Sequence, residues 1–597
     1  MASFTPDTSN TLFQLAADLI NQSSRNIFLT GKAGTGKTTF LKYIRENCPK
    51  QMAVVAPTGV AAINAGGVTI HSLFQLPFSP FIPAPKGFSR NDNTVNRHNL
   101  ISRFRFSNEK RKLLQQLELL IIDEISMVRC DLLDAVDTVL RHFRRRPYER
   151  FGGVQVLFIG DMYQLPPVVK NEEWNLLSEY YDSPYFFDSH VIKEEQPLYI
   201  EFNKIYRQSE ERFINVLNQV RNNEMNEEGR AVLESRYKPV FRRTKNDGYI
   251  VLTTHNEQAR NINSAELQRI TTNAFSFQAE IENDFPESSY PADETLFLKE
   301  GAQVMFIRND TADRGKRYFN GKIGTITRLE DDKIFVTCTD EDFEIGVEKE
   351  KWENIRYTLD KTSQTMKEEV LGTFSQFPLR LAWAITIHKS QGLTFEKAII
   401  DAGEAFAPGQ VYVALSRCTS LDGMVLKSKL RANSLFTDKR IVKFSENISS
   451  SQKLQEEFQE ARRQYQQKIL LSTFDLRLAV NHASELKEYL LQNNSSFNTE
   501  TFSWIEELQD KINSMQETAV KFHSWIAGQF LQPRPPEENT ALIERAAKLR
   551  SILLQKLAGP LYYLKSLRLL QTAVNTQRSL TIRQKTFSPN CLPQNIC

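Results

Sequence analysis

Short uninterrupted apolar runs alternate with stretches of helical spacing through the first part of the chain. The runs at 27–29 (IFL), 53–56 (AVVA), 119–122 (LLII) and 156–159 (VLFI) have no polar position facing water. A strand buried on both faces of a sheet requires such a run, because neither face meets solvent. Each run ends in a polar or glycine-containing loop, which predicts a doubly wound parallel sheet with its ligands at the carboxyl ends of the strands. A second set of runs at 198–200, 249–252, 398–400 and 424–426 predicts a second α/β domain. The first domain is expected over 1–185 and the second over 186–284 and 378–446. Between the two segments of the second, at 285–377, closely spaced strands with hairpin-like turns such as Asn320-Gly321 predict a small inserted β-barrel. From 450 to 597 the pattern becomes helical. Leu542, Ala546, Leu549 and Leu553 share a helix face, Gly559-Pro560 is expected to end that helix, and the prolines at 533–536 mark a break.

Length agrees with this division. At 597 residues the chain exceeds the roughly 250–300 residues at which single cores stop growing. The net charge of +3 neither demands nor excludes a nucleic-acid partner, so local basic faces must decide. The cysteines Cys48, Cys130, Cys338, Cys418, Cys591 and Cys597 show no zinc-ligand spacing and are read as reduced thiols. No signal-like start and no membrane-length apolar run appears. The expectation is an intracellular protein without membrane association, cytoplasmic if bacterial, with nucleus or mitochondrion left open.

The first chemistry lies directly after the 27–29 run. Residues 31–38 read GKAGTGKT, the GxxxxGK[ST] phosphate loop between a strand and a helix. Glycines let backbone N–H groups approach phosphate oxygens, and the helix N-terminus adds partial positive charge. Lys37 is expected to reach the β- and γ-phosphates of ATP and Thr38 to ligate Mg²⁺. Asp123-Glu124 ends the 119–122 strand, so Asp123 is assigned to the Mg²⁺ shell and Glu124 to orienting or deprotonating the attacking water. Gln164, after the 156–159 strand, suits an amide that senses the γ-phosphate. Arg207 and Arg417 are candidate cations for the charge that develops during phosphoryl transfer. If both arginines come from the second domain, ATP lies in the cleft between domains and its hydrolysis can move one against the other.

The motif string resembles the petite-integration-frequency (PIF) helicases, RecD-like members of helicase superfamily one. The segments are GKAGTGKTT (31–39), APTGVAAINAGGVTIHSLF (56–74), IIDEISMV (121–128), GDMYQLPPV (160–168), YRQ (206–208), AITIHKSQGLT (384–394) and VYVALSR (411–417). DLLDAVDTVLR (131–141) with FGGVQVLFIGD (151–161) resembles the family's own signature. The likeness covers about 10–430. It implies two RecA-like motor domains, a wedge insertion at about 75–113, and a 5′→3′ motor on single-stranded DNA. By this resemblance ATP would be held by Gln14, Gly31, Ala33, Gly34, Thr35, Gly36, Lys37, Thr38 and Thr39. Gln14 stands at the spacing of the family's adenine-reading glutamine, the alternative being an ordinary surface glutamine. DNA contacts would come from Thr58, Gly59, Thr69, His71 and Ser72, and from Thr386, His388, Lys389, Ser390 and Gln391, which match the family's fifth motif. Helix capping at Thr58 or Ser72, and core packing of His388, are the alternatives.

Phe78 and Phe81 lie in the wedge region, either as fork-stacking rings or as part of a packed loop. Two basic clusters are read evenly as backbone contacts or solvated faces: Arg103, Arg105, Lys110, Arg111 and Lys112, and Arg141, Arg144, Arg145 and Arg146. The region 450–597, with eighteen Lys/Arg against fourteen Asp/Glu, carries no motif, and its protein partner is unknown. Trp504 and Trp525 there read as core residues. The expected function is an ATP-dependent DNA helicase acting as a monomer on single-stranded and forked duplex DNA, in replication, repair, recombination or telomere maintenance. The alternatives are a translocase that remodels protein–DNA complexes and an ATP-gated DNA-binding recruitment module.

Overall fold

The computed structural model describes residues 10–570, apart from 84–93, 105, 245–246, 311–316, 339–340, 342, 361–362, 364, 404, 406, 431–436, 447–450, 494–496 and 533; the side chains of 451 and 557–570 also lie outside it. Arg105, Cys591 and Cys597 therefore lie outside the described residues. The chain divides into two compact units, a large one running from Arg25 to Ser451 with the residues before Gln22, and a helical one from Gln452 onward that also takes Gln22–Ser24.

The apolar runs of the first part assemble a six-stranded sheet in the order Val68–Thr69, Met52–Ala56, Leu119–Ile122, Gln155–Ile159, Ile27–Gly31, Leu198–Phe202. All pairs are parallel. The strand Leu198–Phe202 corrects the expected domain boundary. It pairs with the phosphate-loop strand from Ile27↔Leu198 to Gly31↔Phe202, so it closes the first sheet rather than opening the second. Phe186, Val191 and Ile192 join the same core, which carries the first lobe past the predicted end at 185.

The wedge region folds largely onto this lobe. Phe81–Ile82 pairs with Val95–Asn96, and Phe81, Val95, Leu100 and Phe106 belong to the first lobe's core. The three aspartates of the DLLDAVD helix (Cys130–Phe143) fasten separate segments. Asp131 accepts from Phe81 N, Asp134 from His190 N and Val191 N, and Asp137 from Phe151 N.

The second lobe has a four-stranded parallel sheet, ordered Ala384–Thr386, Ile250–Thr253, Ala398–Asp401, Met424–Leu426. Its helices Glu211–Asn222 and Glu227–Ser235 pack through Phe213, Val216, Leu217, Val220, Val232 and Leu233. The insertion is antiparallel and wider than predicted, from Ala274 to Leu381. A five-stranded sheet (Gln303–Phe306, Ile323–Leu329, Ile334–Cys338, Glu344–Val347, Leu379–Leu381) and the ribbon Ala274–Gln278/Thr295–Lys299 share one core. Its ends escaped notice because Ala274–Gln278 exposes four of its five residues and Leu379–Leu381 is three residues long. The long hairpin Glu350–Leu359/Met366–Gln376 reaches back to the first lobe. There the Tyr357 hydroxyl accepts from Val54 N (3.1 Å), and Met366 N donates to Gln51 Oε1 (2.6 Å).

The helical unit contains Ser451–Thr473, Arg477–Gln492, Thr499–Gln529 and Thr540–Leu570. Trp504 is buried with Leu486, Leu490 and Leu508, and Trp525 is partly buried against Phe522. The last helix continues through Gly559-Pro560 instead of ending there. A proline inside a helix removes one donor and favours a kink, which a helix of 31 residues can accommodate. Among the described residues no helix is long and apolar enough to cross a membrane.

Candidate nucleotide site

The strand Ile27–Gly31 delivers the loop and the helix Lys37–Asn47 takes the chain away. The loop's glycines are required by shape. Gly34 (φ +82°) lies so close to Arg207 that a Cβ would fall 2.4 Å from that residue's own Cβ, and Gly36 (φ +87°) caps the helix in a left-handed conformation. Tyr206 N donates to Gly34 O (2.9 Å), pinning the YRQ segment to the phosphate loop. The Thr35 hydroxyl donates to Lys32 O, Ala33 N donates to the Tyr412 hydroxyl (3.1 Å), and Gly31 packs against Phe202 O. Thr38 is exposed at the first turn of the helix and Thr39 is half-buried beside it.

Lys37 Nζ donates to Gly31 O (2.6 Å) and Lys32 O (3.1 Å). Burial lowers its pKa, while the carboxylates of Asp161 and Glu124 favour its charged form. Burial, and then the neighbouring Glu124, push Asp123 up to about 7; burial raises Glu124 as well. Glu124 adopts φ +52°, a left-handed conformation that costs a residue with a Cβ about 1 kcal/mol or more. Gln391 Nε2 donates to Glu124 Oε2 (2.8 Å), so the fifth-motif glutamine meets the acid across the seam between lobes. Gln164 is buried and its amide donates to Asp161 Oδ2 (3.2 Å).

The arginines converge on this point from different places than expected. Arg207 lies on the connector after Phe202, not within the second lobe, and donates to Ser416 O (3.1 Å). Burial and the adjacent Arg417 hold its pKa down to about 9. Arg417 is fully buried and donates to Val413 O, Leu393 O and Ser416 Oγ, all in its own lobe, while Glu124 acts on it electrostatically. The half-buried guanidinium of Arg207 and the buried one of Arg417, neighbours beside Lys37, repel one another. A polyanion such as a triphosphate would relieve that repulsion.

Two further residues were not singled out from the sequence. Tyr412 lies within the VYVALSR segment and touches the loop directly. Arg221 reaches from the second lobe to Asp161 and Glu201 of the first. Its signal was its spacing. It falls four and eight residues after Leu217 and Phe213, on a face that is otherwise apolar.

Gln14 is exposed, and its amide donates to Asp18 on its own helix (3.2 Å). That helix, Thr11–Gln22, docks through Phe13 against Phe40 and Phe202.

Among the candidate DNA residues, Thr58 and Thr69 are helix caps that accept from Ala61 N and Ser72 N; Thr69, not Ser72, caps the second helix. Gly59 packs on Ser289 of the insertion, and Ser72 is exposed. His71 stacks on Phe78 (4.6 Å, 23°), and burial lowers its pKa. Phe78 is 85% exposed whereas Phe81 is core, which separates the two wedge candidates. Thr386 is buried and accepts from Lys389 N, and Ser390 is buried and donates to Ile387 O. His388 is half-buried, with its pKa lowered by burial, and Lys389 is exposed.

The second basic cluster is largely structural. Arg144 donates to the carbonyls of Gly152, Leu114, Gln115 and Leu117, Arg141 pairs with Asp137 and Glu194, and Arg146 pairs with Glu149. In the first, Lys110 is held down to about 8 by burial and by Arg356 of the hairpin.

A sequence profile described as "PIF1-like helicase" matches residues 5–231, and one described as "DNA helicase, middle domain" matches 457–548, within the helical unit. The chain is similar to the ATP-dependent DNA helicase Pif1 of Campylobacter jejuni, 29% identical over 440 residues, covering 71% of this chain and 93% of that protein. The crystal structure of Bacteroides sp Pif1 in complex with ADP-AlF4 is 42% identical, covers 73% of this chain and 96% of that one, and superposes with a TM-score of 0.66. Bacteroides Pif1 bound to ssDNA is likewise 42% identical, covering 74% and 97%, with a TM-score of 0.52.

Proposed function

Because this chain belongs to the PIF1-like helicase family, and so to the ATP-dependent DNA helicases, we propose that it moves 5′→3′ along single-stranded DNA and parts forked duplexes as a monomeric motor. The observation that supports an ATP-driven motor is the meeting of Lys37, Glu124, Arg207 and Arg417 at the seam of two parallel-sheet lobes, while the polarity follows from the family resemblance. Lys37 would leave its loop carbonyls for the β- and γ-phosphates. Glu124 would orient the attacking water, and Arg207 and Arg417 would meet the charge that grows on the departing phosphoryl. The half-buried Asp123 carboxyl and the exposed Thr38 hydroxyl are oxygen donors suited to Mg²⁺, and a cation there would favour the ionised form of Asp123 that burial and Glu124 disfavour. When bound there, the ion would neutralise phosphate charge. Gln164 would register loss of the terminal phosphate.

Strand contacts are assigned to the exposed Ser72 and Lys389, to backbone groups beside Thr58, Gly59 and Thr69, and to His71 with Phe78. Thr386 and Ser390 shape the fifth-motif turn that carries Lys389 and Gln391. The test is unwinding of tailed duplexes. ATP-dependent strand separation should occur with a 5′ overhang and not with a 3′ overhang. The reverse preference would overturn the polarity, and strand movement without separation would favour the protein-remodelling translocase.

A further inference from the structure

Arg221 lies on the second-lobe helix Glu211–Asn222, yet its guanidinium is buried among first-lobe groups. It pairs with Glu201 (3.1 Å) on the edge strand and with Asp161 Oδ1 (3.5 Å), and it lies over the Tyr163 ring at 4.1 Å. The contact to Asp161 is long for a hydrogen bond but well within ion-pair range. The Asp161 carboxylate, itself 1% exposed, has two sides. One oxygen faces Arg221, and the other accepts from the Gln164 amide (3.2 Å). Gln164 therefore has no direct hold on the second lobe through its side chain among the bonds described, but it has one through Asp161. Lys32 adds a like charge next to Arg221, so the local balance depends on both carboxylates being in place.

We propose that Arg221 is a positioning residue. Through Asp161 it sets the side chain of the phosphate-sensing Gln164, so that the sensor is correctly aimed only while the second lobe is closed on the first. This rests on the reading of Gln164 as the γ-phosphate sensor. Opening the lobes withdraws the guanidinium. Asp161 then loses its one ion-paired guanidinium and keeps only the first-lobe charges of Lys37 and Lys32 nearby, and Gln164 is released from its set rotamer. Lobe closure and phosphate sensing become one event.

A double-mutant cycle on the full chain tests this, with kcat and KM for ATP measured at saturating single-stranded DNA. Arg221→Met should lower kcat about tenfold or more with KM for ATP changed much less, and Arg221→Lys should restore part of the loss. In a Gln164→Ala background, Arg221→Met should add less than about a twofold further loss, because the residue it acts through is gone. Full multiplicative losses in the double variant would overturn the relay and leave Arg221 as simple interlobe glue. If Arg221→Met does not fold, the same cycle with Arg221→Lys decides the matter on the same criterion. Absence of DNA-stimulated turnover in the unaltered protein would instead strike the helicase reading itself.

Discussion

Gln391 separates two readings of the fifth motif, because resemblance assigns it to DNA while the fold brings its amide to Glu124 at 2.8 Å. Substituting Gln391→Leu keeps the side chain's bulk and removes the donor. A hydrogen bond to a charged group contributes about 1.5–3 kcal/mol. Glu124 is half-buried, so water can replace the lost donor only in part. If the bond matters only once Glu124 works on the attacking water, the full amount falls on the barrier and turnover drops about 10- to 150-fold. The assay is ATP hydrolysis at saturating single-stranded DNA, paired with strand affinity in the absence of nucleotide. The expected outcome is a large fall in kcat with strand Kd within about threefold of the unaltered protein. Weakened strand binding with normal kcat at saturating DNA would refute the argument and return Gln391 to the DNA surface.

Lys37→Ala should abolish hydrolysis while leaving strand binding measurable in a nucleotide-free gel shift; unchanged turnover would remove the phosphate loop from the mechanism. Arg144→Ala should cost about 3 kcal/mol or more, since it strips a donor group from four main-chain carbonyls, and should lower Tm without altering the salt dependence of DNA binding. A salt slope reduced by about one would show a phosphate contact instead. Phe78→Ala should slow strand separation more than it slows hydrolysis, since the ring is exposed at the wedge and stacks on His71; equal loss of both activities would argue for a packing role. Thr58→Ala should remove a helix cap worth about 1 kcal/mol, read as a small fall in Tm.

The parts of this architecture written in consecutive residues were legible from the chain alone. The buried strands, the phosphate loop and the Asp123-Glu124 pair each depend on local pattern, and each lies where that pattern predicts. Partnership across the sheet was not legible. The run at 198–200 looks the same whether it opens a second sheet or closes the first, and only the register with Ile27–Gly31 decides. Arg144 and Arg145 look alike in sequence, yet Arg144 donates to four carbonyls, one in the turn at Phe151-Gly152 and three at the end of the helix Asn108–Gln116, which no charge count records. Arg221 is a single charge on an apolar helix face, and its meaning appears only when Asp161 arrives from more than fifty residues away.

The character of the seam follows from what it must do. Each lobe has an apolar core built mostly from its own residues, Leu165 of the first lobe in the second core and Tyr357 of the hairpin in the first being exceptions, whereas many of the links between them are single polar contacts: Ala33 to Tyr412, Gln391 to Glu124, and Arg221 to Asp161 and Glu201. A continuous apolar seam would bury area at about 25 cal/mol per Å² and hold the lobes shut. Individual hydrogen bonds and ion pairs each contribute only about 0.5–3 kcal/mol, and water can replace them when the lobes part. Three or four such links amount to a few kcal/mol, the scale on which a ligand that prefers one arrangement can shift a two-state equilibrium. A triphosphate that engages Lys37, Arg207 and Arg417 has that preference, because only the closed seam brings all three cations to it. Loss of the terminal phosphate removes much of the preference while leaving the polar links intact. The lobes can then separate with most of each core in place, Leu165 being the first-lobe side chain that must leave the second-lobe core, which is the condition for repeating the cycle on a bound strand.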